Sequence, residues 1–179
     1  MLRITIPAAE MWDERKQEFV STKEQKLQLA HSLVSLSKWD SKWHKAFLSS
    51  KDKTAEETID YIKCMTLTQN VDPDVYNHLT AKNISEVNEY IGSPMTATVF
   101  SDDKKSNSRE VVTSELIYYW MIALNIPFEC QKWHLNRLIT LIKVCNVKNA
   151  PPKKMSQRET RNRYAELNAA RRKKLKSKG

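Results

Sequence analysis

The sequence predicts an α+β fold: a mainly helical body with a small antiparallel sheet, followed by a basic C-terminal helix. Three observations carry this. Strand-like alternation of apolar and polar residues is concentrated in the first thirty positions. From Ser32 onward apolar residues recur mostly at spacings of three and four. Pro151 and Pro152 then separate a body, residues 1–149, from an arm, residues 150–179, that holds few large apolar side chains.

Leu2, Ile4 and Ile6 alternate with Arg3 and Thr5, and Pro7 stops the run, which is a strand pattern. Residues 18–20 and 26–31 offer two more short strands, and the charged stretch 13–16 suits a turn between the first pair. Residues 32–43 place Leu33, Leu36, Trp39 and Trp43 on one helical face. Thr54 with Glu57 is a capping box opening a helix whose buried stripe is Ile59, Ile62 and Met65. Asp72 followed by Pro73 is an N-cap with proline at the first helical position, with Val75 and Leu79 facing inward. Asn83 can cap another short helix, ending near Ile91 and closed by Gly92.

Residues 95–100 (M-T-A-T-V-F) predict a strand, paired with residues 109–112 across a polar loop at 101–108. Thr113 caps a helix whose run Leu116 to Leu124 is apolar nearly all round, the pattern of a helix at the centre of a domain; Asn125 and Pro127 end it. A second long helix is expected at about 129–147, with Trp133, Leu135, Leu138, Leu141, Ile142 and Val144 available for packing. In the arm, Ser156 and Glu159 form a further capping box, so residues 157–174 should be helical. Its large apolar residues, Tyr164, Leu167 and Leu175, are too sparse for a core of their own.

Composition narrows the function. The 179 residues contain only two glycines, which rules out the glycine-rich phosphate loops of P-loop and dinucleotide-binding folds. The net charge of +9 is unevenly placed: residues 148–179 hold twelve of the thirty Lys and Arg but only two of the twenty-one Asp and Glu. A nearly neutral body thus carries an arm of charge +10, suited to polyanions or acidic protein surfaces. Three cysteines, Cys64, Cys130 and Cys145, are not a disulfide framework. Residues 1–9 do not read as a signal peptide, and the longest apolar run, nine residues, is about half of the ~20 that cross a bilayer. The expectation is a soluble, cytoplasmic protein with no membrane partner.

Cys130, His134 and Cys145 share a face of the expected long helix, but ~17 Å at 1.5 Å per residue separates His134 from Cys145, too far for zinc bonds of ~2 Å. A buried thiol and a hydrogen-bonded imidazole are the better reading. Cys130 and His134 as a nucleophile pair lack an orienting third group and an oxyanion pocket. The chain is therefore expected not to be an enzyme, with no catalytic, cofactor-binding or metal-binding residue. Residues 38–45 interleave Trp39 and Trp43 with cations, as single-strand binders do, yet both rings share a face with Leu33 and Leu36, which favours core or interface. Glu56-Glu57 and Asp102-Asp103 read as a helix first turn and a solvated loop. The strongest functional signal is Arg171, Arg172, Lys173 and Lys174 with Lys176 and Lys178, able to hold nucleic-acid phosphates or an acidic protein.

Several segments resemble one protein family. They are His31-Ser32-Leu33-Val34-Ser35-Leu36-Ser37-Lys38-Trp39, residues 95–100, the run ELIYYWMIALNIPFECQKWHLNRLITLIKVCN at 115–146, Pro151-Pro152-Lys153-Lys154-Met155, and Leu167-Asn168-Ala169-Ala170-Arg171-Arg172. Together they make nearly the whole chain similar to the tail assembly chaperones of long-tailed bacteriophages. The resemblance implies a non-enzymatic morphogenesis factor that binds the helical tape-measure protein in the cytoplasm and gives way as tail-tube protein polymerises around it. It brings no catalytic or binding motif to single positions. A releasable apolar patch is the physical requirement, and Trp39, Trp43, Trp133, Tyr164 and Leu167 are its candidates, with Arg171, Arg172, Lys173 and Lys174 adding electrostatic attraction. The alternatives are a nucleic-acid-binding accessory protein using the same arm, or a structural tail or head–tail component of the virion.

Overall fold

The computed structural model describes residues 1–13, 18–50, 52–100, 111–151 and 156–175, with backbone alone for 9–13 and 18–22. The architecture is α+β, mainly helical with a small antiparallel sheet component. The chain divides into two compact units, Met1–Asn146 and Val147–Gly179.

In the first unit, β1 (Leu2–Ile6) pairs antiparallel with β4 (Gln25–Leu29), and β2 (Ala9–Asp13) pairs with β3 (Glu18–Thr22). Ile4 lies opposite Leu27 and Met11 opposite Val20, so one register runs through both ladders and the four strands are the arms of a single long hairpin. The break falls at Pro7 and Ala8, where proline withholds the N–H a ladder needs. This corrects the expectation that the first strand pairs with residues 18–20 through a turn at 13–16. Asp13 is in β2, and residues 14–17 lie outside the described residues. Strand β2 escapes sequence reading because Met11 and Trp12 are adjacent and hide the period of two.

Ile4, Ile6, Leu27 and Leu29 are buried, and α3 (Ala81–Gly92) packs on β1, where Asn83 Nδ2 donates to the Thr5 carbonyl over 3.2 Å. Helix α1 (Leu33–Trp43) begins at the Ser32 cap and α2 (Ala55–Met65) at Thr54, whose capping box with Glu57 closes as expected. Leu33, Leu36 and Trp39 of α1 meet Tyr61, Ile62 and Met65 of α2 in the core, while Ile59 is only half-buried. After α2 the chain lies along β4: Met65 O accepts from Ala30 N at 2.9 Å and Gln28 O from Leu67 N at 2.8 Å.

Four further expectations change. Pro73–His78 is a 3₁₀ turn, capped by Asp72, with Val75 buried and Leu79 half-buried. Helix α3 is capped by Thr80, and Asn83 is the third helical residue that completes the capping box. Residues 95–100 form no strand: Met95 has φ 48°, a left-handed conformation that strand pairing does not accept, and half of the expected partner strand, residues 109 and 110, lies outside the described residues. The second long helix is shorter than expected. A 3₁₀ turn at Phe128–Lys132 and an extended Trp133 precede α5 (Leu135–Asn149), which starts where Leu135 N donates to the His31 carbonyl at 2.9 Å.

Helix α4 (Ser114–Ala123) is capped by Thr113 as expected, and Asn125 ends it with φ 52°. It is not surrounded by protein. Ile117 and Met121 are fully buried, whereas Tyr119 and Ile122 face outward. In the second unit, Ser156 N bonds Glu159 Oε2 at 2.9 Å and Ser156 Oγ accepts from Glu159 N at 3.2 Å, opening α6 (Gln157–Leu175), no side chain of which is buried.

Candidate partner-binding surfaces

Trp39 and Trp43 sit one turn apart on α1 with their rings stacked at 6.1 Å, yet their environments differ. Trp39 is 0% exposed, and its Nε1–H donates to the Glu57 carbonyl at 2.9 Å, so it is a core residue with no surface to offer a partner. Trp43 is half-buried and donates from Nε1 to Asp60 Oδ2 at 2.9 Å; Lys42 pairs with the other carboxylate oxygen. Burial alone would raise the Asp60 carboxyl, but the bonds from Lys42 and Trp43 outweigh it and hold the group below its ordinary range. Glu57 is held low as well, chiefly by Lys45 and by the Thr54 amide. Two cations of the 38–45 stretch, Lys42 and Lys45, are thus paired with carboxylates of α2.

Cys130 and His134 belong to different elements. Cys130 is buried in the 3₁₀ turn, and His134 precedes α5, its Nε2 3.0 Å from the Tyr90 carbonyl and its ring against Tyr90 and His31. Burial lowers the His134 pKa, so the neutral ring donates Nε2–H to that carbonyl. His31 is deeper. Its Nδ1 lies 2.6 Å from the Tyr61 hydroxyl, and burial, reinforced by the nearby His134, pushes its pKa down to about 3. These imidazoles join β4, α2, α3 and the start of α5. Among the described residues, no three His, Cys, Asp or Glu side chains are grouped to hold a metal ion. Trp133 is half-buried, with the Arg137 guanidinium 4.2 Å over its ring.

The open side of α4 is the surface that sequence reasoning missed. Tyr119 is 63% exposed and Ile122 61% exposed, three residues apart and therefore adjacent on the helix. Tyr118, one turn before Ile122, lies 6.4 Å from the ring of Phe128, itself 53% exposed. An apolar strip therefore runs from Phe128 past Tyr118 to Ile122 and Tyr119. The signal was present in the all-round apolar sequence of α4, which also fits a helix with one face in the core and another awaiting a partner.

In the second unit, Tyr164 and Leu167 are exposed on α6 with Arg171, Arg172, Lys173 and Lys174 near its C-terminus, where cations complement the helix dipole. No helix among the described residues is long and apolar enough to cross a membrane. No family model, no curated protein and no solved structure matches the chain.

Proposed function

We propose that the protein is a non-enzymatic tail-assembly chaperone of a long-tailed bacteriophage. It acts in the host cytoplasm, covers apolar helical segments of the tape-measure protein and yields them to polymerising tail-tube protein. The observation that supports this reading is the apolar strip Tyr119, Ile122 and Phe128 on the body. A soluble chain that leaves adjacent large apolar side chains in water has a use for them, and a single helix face is a suitable platform for another amphipathic helix. The contact is shallow, which suits a client that must later be released. The client surface therefore rests on α4 and the following turn, with the half-buried Trp43 and Trp133 as secondary candidates and Trp39 removed from the set.

The test is co-expression with the tape-measure protein of the same phage, purified from nuclease-treated lysate. With the wild-type chain the client stays soluble and co-purifies. With a Tyr119→Asp, Ile122→Asp double variant of unchanged melting temperature it is lost. A client that remains insoluble beside the wild-type chain overturns the proposal, and stoichiometric presence of the chain in purified particles assigns it to the virion structure instead.

A further inference from the structure

We infer that α6 is a duplex-DNA-binding helix, and that the face it lays in the major groove is made by Arg158, Arg161, Ala165, Asn168 and Arg172. The spacings along that face are three, four, three and four, so the five residues form one stripe over four turns of helix. Seven cations and two carboxylates lie in the nineteen residues of α6, and Glu159 and Glu166 both fall on another side of the helix. No side chain is buried, so every arginine of the stripe is presented to solvent.

Three features select DNA over the other polyanions. The middle of the stripe is small, with Ala165, Asn168 and the neighbouring Ala169, so the helix can come close to a groove floor while the outer arginines reach phosphates. Arginine and asparagine are also the side chains that pair with purine edges in the major groove. The dimensions agree: at 1.5 Å per residue, Arg158 and Arg172 are ~21 Å apart, and a helix ~10–12 Å wide fits a B-form major groove of ~12 Å. The A-form RNA major groove is too narrow to admit it. An acidic helical protein would ask for an apolar seam, whereas α6 offers only Tyr164, Leu167 and Leu175 as large apolar side chains. This assigns the charge of the arm to a task separate from client binding on α4.

The experiment is fluorescence anisotropy of the full chain, freed of nucleic acid, on a mixed-sequence duplex of about 20 base pairs between 50 and 200 mM salt. Arg158→Gln, Arg161→Gln and Arg172→Gln together should weaken binding about tenfold or more and reduce the log–log salt slope by roughly 2.7, at ~0.9 per phosphate contact. Of the sequence candidates Arg171, Arg172, Lys173 and Lys174 the stripe keeps only Arg172, so the triple Arg163→Gln, Lys173→Gln and Lys174→Gln, which removes the same charge from the other side, should change the slope by less than about 1. Circular dichroism confirms that both triples keep the helix. Equal losses in the two triples overturn the inference, as does tighter binding to an RNA hairpin of similar length. Absence of DNA binding at 50 mM salt, with or without capture of an acidic helical peptide, overturns it as well.

Discussion

The Ser114 amide donates to Asp40 Oδ2 over 3.0 Å, so the first turn of α4 is held by a side chain seventy-four positions earlier in the chain. The other oxygen, Oδ1, accepts from Phe47 N at 3.0 Å. One buried carboxylate thus fixes the end of α1, the turn that follows it and the start of α4. Asp40→Asn replaces one acceptor oxygen with a donor and leaves an amide facing it unpaired, at a cost of about 1–3 kcal/mol. The expected result is a lower urea midpoint with an unchanged m value. An unchanged midpoint would mean that water satisfies these amides equally well.

His31 makes the body acid-sensitive. Its pKa is about 3 in the folded chain against an ordinary 6.5, so between these values the unfolded chain binds the extra proton. The contribution of this imidazole to stability is therefore fully present above about pH 6.5, falls as the pH drops toward 3 and is constant below it. His134, also lowered by burial, adds to the loss in the upper part of that window. Each group contributes a slope of at most ~1.4 kcal/mol per pH unit. Urea unfolding between pH 7 and pH 4 should show the midpoint decreasing. The His31 ring carbon shifts in an NMR titration should stay those of a neutral imidazole down to about pH 4.

Much of the helical fold was legible because local chemistry sets helix ends. Ser32, Thr54, Thr113 and Ser156 all sit at helix starts, and their side-chain oxygens take the amides that the first turn leaves unpaired. Asn83 misled because Thr80 Oγ1 takes its amide at 3.2 Å; both residues are capping types, and only the backbone decides between them. Tertiary facts were less legible. Met95 turns left-handed in a run with good strand propensity, and α4 shows solvent a face as apolar as the one it buries. The candidate patch suffered in the same way: Trp39 and Trp43 are equivalent on a helical wheel, and only the packing of α2 separates a buried ring from a half-buried one.

The two faces of α4 should respond oppositely to substitution. Ile117 and Met121 are 0% exposed, and Ile117→Ala should cost about 2–5 kcal/mol through lost burial and the cavity left behind. Tyr119→Asp and Ile122→Asp touch a solvated surface and should shift stability by no more than about 0.5 kcal/mol each. Thermal melts separate the cases. The surface pair should also reduce binding of an apolar dye to the native protein, because the exposed strip is what the dye reads. A large destabilisation by the surface pair would show that this face is covered in the free protein.

Trp43 offers a way to separate packing from partner contact. Trp43→Phe keeps a ring against Trp39 but removes the Nε1–H that reaches Asp60 Oδ2 at 2.9 Å. With Lys42 alone on the carboxylate, the Asp60 pKa should rise toward its ordinary value, seen directly by NMR titration of the side-chain carboxyl. A depressed carboxyl stabilises the folded chain above its unfolded pKa, and that stabilisation is lost as the pH falls through the folded value. The variant should therefore lose about 1 kcal/mol at neutral pH and converge with the wild type in strong acid. A difference that persists unchanged at pH 2 would place the role of Trp43 in ring packing and not in its bond to Asp60.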